Sequence, residues 1–201
     1  MLWLAAHPLV LASRSKVRLA LLEAAGIPVQ PIAPDLDERA IEARAGPLSA
    51  VDAATLLAWE KARVVDAPMP GQFVLGADQT LALGQTRFTK PTDAAGAHEQ
   101  LRALSGRTHE LCSAIAIVRD GRVLFSHCEV ARMTMRSLSE TFLDAYLETA
   151  GSAVTSSVGG YQLEKLGIHL FERIEGDHFT ILGLPLVPLL EFLRREGCLA
   201  A

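Results

Sequence analysis

The apolar positions of this chain fall in short, dense runs. Leu9–Ala12 and Phe73–Ala77 are nearly unbroken apolar stretches of four or five residues, the pattern of strands buried on both faces, and Val29–Ile32 reads as a short strand between Pro28 and Pro34. Two longer runs with helical spacing separate them. Ser15–Ala25 reads as a helix stopped by Gly26. Val51–Val65 carries Ala53, Leu56, Leu57 and Val64 at near-helical intervals, with Lys61 late in it and Pro68 and Pro70 to end it. The acidic stretch Asp35-Leu36-Asp37-Glu38 reads as a loop.

After Asp78 the pattern changes to paired runs around turn residues. Thr80–Leu83 and Thr86–Phe88 flank Gly84-Gln85, and His109–Val118 and Arg122–Met135 flank Asp120-Gly121. Ile168–Ile174 and His178–Leu182 flank Glu175-Gly176, predicting a further hairpin. Helices are predicted over Asp93–Leu104, over Ser139–Thr149 with Ser139 as cap, and from Leu184-Pro185 to Arg195. The expected fold is a mixed α/β architecture: a central sheet flanked by helices, parallel early in the chain and antiparallel later.

Composition narrows the function. Over 201 residues, half of them hydrophobic and 21% charged, a folded core is expected, and the whole length reads as one domain, 1–201. A net charge of −4 argues against bulk attraction to nucleic acid or an anionic membrane. No apolar stretch approaches the roughly 20 residues of a membrane span. Residues 1–7 lack a basic region and a cleavable apolar core, so no secretory signal is expected. Three cysteines, Cys112, Cys128 and Cys198, show no metal-ligand spacing, and a reducing cytoplasm is the simplest compartment.

The candidate chemistry lies where apolar runs end. Leu9–Ala12 leads into Ser13-Arg14-Ser15-Lys16-Val17-Arg18, two hydroxyls and three cations at the start of a helix. Helix starts present free N–H groups and partial positive charge, so this is a seat for phosphate, or else a serine cap beside solvated cations. Asp78 directly follows the third apolar run and reads as a base, a metal ligand or a turn residue. Lys61 and Lys90 are candidate phosphate cations, against the plainer readings of a helix-surface lysine and a hairpin-end lysine. Glu164 follows the Gly159-Gly160-Tyr161 loop and is a metal-facing carboxylate or a surface charge. There is no nucleophile elbow, no P-loop, no GxGxxG and no paired histidine spacing. Cations and carboxylates without a nucleophile suit metal-assisted hydrolysis of a phosphoanhydride.

Taken in order, Leu11–Arg18, Asp37-Glu38, Glu60-Lys61-Ala62, Gly76-Ala77-Asp78-Gln79, Lys90-Pro91, Leu104-Ser105-Gly106 with His109, and Gly183-Leu184-Pro185-Leu186 resemble the Maf family. The resemblance runs from Leu9 to about Gly197. It implies a nucleoside triphosphate pyrophosphatase that cleaves between the α and β phosphates with Mg²⁺ or Mn²⁺. It also implies an elongated Maf/ITPase-like mixed sheet with a cleft between two lobes, and a homodimer. By position it assigns Asp78 as proton acceptor, Ser13, Arg18, Lys61 and Lys90 to the triphosphate, and Glu38, Glu164 and Asp78 to the metal.

Departures from the usual pattern matter too. Val17 stands where an arginine is common, with Lys16 beside it. Gln79 and Glu164 resemble the branch acting on 7-methyl-GTP more than the dTTP/UTP branch. The competing reading is a nucleotide-binding regulator of cell division with little turnover. A phosphatase releasing orthophosphate is a second enzymatic alternative.

Overall fold

A computed structural model describes residues 2–200. The chain divides into two compact units. The first comprises Met1–Gln79, Ser113–Glu129 and His178–Ala201, and the second Thr80–Cys112 and Val130–Asp177.

The strands are β1 (Leu9–Ala12), β2 (Val29–Pro31), β3 (Val74–Leu83), β4 (Thr86–Phe88), β5 (Thr108–Arg119), β6 (Arg122–Met135) and β7 (Phe171–Glu175). The helices are α1 (Lys16–Ala24), α2 (Glu38–Ala45), α3 (Ala50–Asp66), α4 (Ala94–Leu104), α5 (Glu140–Ala150), α6 (His178–Ile181) and α7 (Leu186–Arg195). The strand order is β2-β1-β3-β5-β6-β7, with β4 paired to β3. β1 pairs in parallel with both β2 and β3, whereas β3–β4 and β6–β7 are antiparallel, the division expected from the sequence.

In the first unit the two-residue strand period sorts the core into two layers. Leu9, Leu11, Leu75, Ala77, Ile115 and Ile117 pack with Leu22 of α1 and Leu189, Phe192 and Leu193 of α7. Val10, Ala12, Val74 and Val118 pack on the other face, with Ala62 and Val65 of α3. Side chains of successive strand residues point to opposite faces, so Val74, Gly76 and Asp78 look toward α3 and Ala77 and Gln79 look away from it. Asp66, at the end of α3, accepts hydrogen bonds from the amides of Asp120 and Gly121, at 3.1 and 2.7 Å. It thereby pins the β5–β6 turn.

In the second unit, the Arg132↔Glu175 to Met135↔Phe171 register ties β6 to β7. His109 and Tyr161 are buried beside Phe171, and α4 and α5 are capped by Asp93 and Ser139.

Three local expectations are corrected. Asp78 does not end a strand. β3 runs ten residues without a break, so Asp78 and Thr80 belong to one strand and Asp78 sits mid-strand. Asp35–Glu38 is not wholly loop, because Asp37 caps α2 by accepting from the Ala40 amide at 3.0 Å and Glu38 is the first helical residue. Only Ile41 of α2 is buried, so the helix leaves almost no apolar periodicity to detect. Finally, His178–Leu182 is not the second arm of a hairpin. β7 takes β6 as its partner, and His178–Ile181 folds as the single turn α6, whose carbonyls are bonded by side chains.

Candidate functional site

The site in the first unit begins with a glycine. Gly76 lies where α3 crosses β3, and a Cβ there would run into the Ala58 carbonyl oxygen and lie 2.7 Å from the Ala62 nitrogen. Glycine lets the helix backbone rest directly on the strand. Ala58, Lys61, Ala62 and Val65 share one buried helix face. With Ala58 and Ala62 seated over Gly76, Lys61 arrives beside Asp78, the next residue on the same strand face.

The Lys61 ammonium donates to Asp78 Oδ1 at 2.5 Å and meets Glu38 Oε1 at 2.8 Å. Lys61 and Asp78 are each 8% exposed, whereas the Glu38 side chain, on the first turn of α2, is half exposed. Two carboxylates thus converge on one positive charge, open to solvent from the Glu38 side. An ammonium has three N–H donors, so one remains for a further acceptor.

Arg18, on the first turn of α1, approaches from the β1 end. Its Nε donates to the Gly183 carbonyl at 2.8 Å, and its Nη1 to the Ala77 carbonyl at 2.7 Å and to Ser13 Oγ at 3.4 Å. Nη2 has no protein acceptor among the described residues, so its two N–H groups remain for an anion. Ser13 Oγ also accepts from the Ser15 amide at 3.1 Å. Ser15 caps α1, accepting from the Arg18 amide at 3.3 Å. Five of the expected site residues, Ser13, Arg18, Glu38, Lys61 and Asp78, come from four chain segments and are joined through these bonds and the Ala77 backbone.

Burial pushes the Asp78 carboxyl above its ordinary value, and the charges of Lys61 and Arg18 pull it partly back. Burial also lowers the Arg18 guanidinium, offset in part by Asp78 and Glu38. A buried carboxylate with raised proton affinity beside a cation is suited to accept a proton from water.

Lys90 and Glu164 lie in the second unit, both exposed. Among the described residues, no three His, Cys, Asp or Glu side chains are grouped to hold a metal. The pair Glu38 and Asp78 does converge on one cationic point. Two carboxylates fit an ion such as Mg²⁺, which keeps several waters and takes other ligands from phosphate oxygens.

Sequence reasoning missed the polar set on the opposite face of β3. The Gln79 Nε2 donates to Ser113 Oγ at 2.9 Å and to the carbonyls of Thr180 and Ile181 at 3.3 and 3.0 Å. A serine inside the apolar run Leu111–Val118, fully buried, was the available signal.

A family profile described as Maf-like protein matches residues 8–196. A relative named nucleoside triphosphate pyrophosphatase, from Rhodopseudomonas palustris (strain BisB18), is 58% identical over 199 residues, covering 99% of this chain and 98% of its own. One named 7-methyl-GTP pyrophosphatase, from Brucella abortus biovar 1 (strain 9-941), is 50% identical over 193 residues, 95% of this chain and 97% of its own. A solved HAM1 protein from Coxiella burnetii shares 19% identity with a TM-score of 0.44, over 63% of this chain and 72% of that one. That last likeness is too distant to bear on the chemistry.

Proposed function

The chain belongs to the family of Maf-like proteins, and from that premise we propose that it is a nucleoside triphosphate pyrophosphatase. It hydrolyses the α–β phosphoanhydride to a nucleoside monophosphate and pyrophosphate. The observation that carries this reading is the buried Lys61 ammonium held between Asp78 and Glu38, with Arg18 anchored to the carbonyl of Ala77, the residue before Asp78.

In this reading Asp78 orients a water and takes its proton as the water oxygen adds to phosphorus. The bond from that phosphorus to the bridging oxygen breaks, and the electron pair leaves with pyrophosphate. The free N–H groups of Arg18 and Lys61 and the hydroxyl of Ser13 meet the charge that builds on the phosphate oxygens. Glu38 and Asp78 would hold a divalent cation, Mg²⁺ or Mn²⁺, which supplies charge neutralisation for the polyphosphate.

The resemblance extends phosphate binding to Lys90, and gives Glu164 either the metal or the methylated base. A 7-methylated guanine carries positive charge, which a carboxylate such as Glu164 would favour. A 7-methyl-GTP preference is supported by Gln79, by Glu164 and by the Brucella relative's name. Three free cysteines support a cytoplasmic enzyme, and among the described residues no helix is long and apolar enough to cross a membrane. The homodimer rests on the resemblance.

The test is product analysis with Mg²⁺ or Mn²⁺ present and then chelated, on 7-methyl-GTP, dTTP and UTP. Monophosphate and pyrophosphate, lost on chelation, are expected, with the highest kcat/KM on 7-methyl-GTP. Orthophosphate with diphosphate would overturn the α–β cleavage. Nucleotide binding without turnover would favour the regulatory alternative.

A further inference from the structure

The guanidinium of Arg18 is held by the Gly183 carbonyl, 165 residues away in sequence. Gly183 has φ +87, and a Cβ there would lie 3.2 Å from Arg18 Nη2 and 3.4 Å from Nε. A side chain would therefore crowd the guanidinium as well as strain the backbone. The position of Gly183 is set by α6, just before it. A helix of four residues has no stability of its own, so α6 depends on what grips it.

Side chains from β3, β5 and β6 do so. Gln79 Nε2 donates to the carbonyls of Thr180 and Ile181, and Ser113 Oγ donates to the Thr180 carbonyl at 2.7 Å. The third is Glu129, whose Oε2 accepts from Thr180 Oγ1 at 2.6 Å. Thr180 is 1% exposed, and a hydrogen bond from a buried hydroxyl to a carboxylate is among the stronger kinds. Gln79 has two amide N–H donors and spends them on Ser113, Thr180 and Ile181, so they serve this turn.

We propose that Glu129 is a positioning residue for the reaction, acting through the Thr180 hydroxyl and the α6 turn to fix the Gly183 carbonyl and, with it, Arg18. The proposal rests on the pyrophosphatase reading of the same site. Glu129 touches none of the groups assigned to substrate. Its removal takes away the hydroxyl's bond to a carboxylate and loosens the anchor that aims the free face of Arg18.

The experiment compares Glu129→Ala, Glu129→Gln and Thr180→Val with the native enzyme and with Arg18→Ala. Folding is monitored by circular dichroism. Two quantities are read: KM and kcat for the preferred triphosphate, and affinity for inorganic tripolyphosphate by titration calorimetry. Glu129→Ala and Thr180→Val are expected to raise KM about tenfold with kcat within about threefold, the size expected from one lost hydrogen bond to a charged group. Tripolyphosphate affinity should fall in the same direction as in Arg18→Ala. Glu129→Gln keeps an oxygen acceptor for Thr180 and should restore KM to within about twofold of native.

The Ala and Val changes should not add in the double variant, because they remove the same bond. Native KM and tripolyphosphate affinity in folded Thr180→Val would overturn the proposal, even should Glu129→Ala fail to fold. A fall in kcat alone would also overturn it. If the native protein releases no pyrophosphate, the parent reading fails, while the calorimetric arm still decides whether Glu129 and Thr180 position Arg18.

Discussion

Each unit of the molecule buries a polar cluster, and the two are built on opposite terms. In the first unit, Asp78 and Lys61 are charged groups taken out of water and Arg18 is a half-buried one, joined by ion pairs and carbonyl bonds. In the second unit, His109 and Tyr161 are buried as neutral groups. Their Nε2 and Oη atoms lie 2.7 Å apart, with the ring of Phe171 against both. Burial holds the His109 imidazole down to about 4 and raises the Tyr161 phenol, so neither is charged near neutrality.

Burying a charge is costly even when it is paired, and an apolar replacement of similar volume often serves stability as well. A neutral pair carries a much smaller penalty once hydrogen-bonded. The comparison separates a costly cluster from a cheap one. In the proposed reading, charge is kept in the first unit to meet a polyphosphate. The His109–Tyr161 cluster fills space and fixes the orientation of the Tyr161 segment.

The largest expected effect breaks the comparison at the charged end. Asp78→Asn keeps shape and an acceptor for Lys61 but removes the base. Turnover should fall by about 10²–10⁴, the usual scale for a lost general base, in a protein that still folds. A folded Asp78→Asn enzyme with near-native kcat would place the first cluster with the second, as structure only.

A smaller effect tests how the charged cluster is assembled. Gly76→Ala puts a methyl group against the backbone of α3, which cannot move aside as a side-chain end can. We expect a loss of about 3 kcal/mol in denaturant unfolding, the upper part of the usual overpacking range, with lower activity because Lys61 is displaced from Asp78. An unchanged unfolding midpoint would show that the close approach of α3 is not needed.

The smallest effect is a matter of pH and separates the clusters by sign. His109 is lowered from 6.5 to about 4, so the stability from keeping it neutral is present above 6.5 and lost as pH falls toward 4. Between about pH 7 and about pH 5 this amounts to about 2 kcal/mol. Asp78, raised by burial, runs the other way: its contribution is full below its unfolded value of 3.8 and is lost as pH rises through the folded one. Unfolding curves of native protein and His109→Gln at the two pH values check this. The variant should lose the acid-side slope, and an identical slope in both proteins would remove His109 as its source.

Much of this was legible in the chain. Short apolar runs marked β1 and the start of β3, flanking prolines marked β2, and Ser15, Asp93 and Ser139 marked helix starts where caps are found. Ser13, Arg18, Lys61 and Asp78 stood out as polar residues next to buried segments. The errors share a cause. α2 has one buried residue, α6 has four residues in all, and β3 continues through a charged side chain. Local periodicity is silent in the first two cases and misleading in the third, because an acid after an apolar run resembles a turn.

By itself, the sequence determined the alternation of strands and helices, the parallel-then-antiparallel sheet and the residue types of the site, since period, caps and composition act over a few neighbouring residues. Tertiary structure decided which face of β3 carries Asp78 and which carries Gln79. It also decided that α3 lies close enough on Gly76 to deliver Lys61, and that Gly183 and the Glu129–Thr180 bond hold Arg18. These depend on close packing between segments far apart along the chain, where the geometry of one element sets what the other can reach.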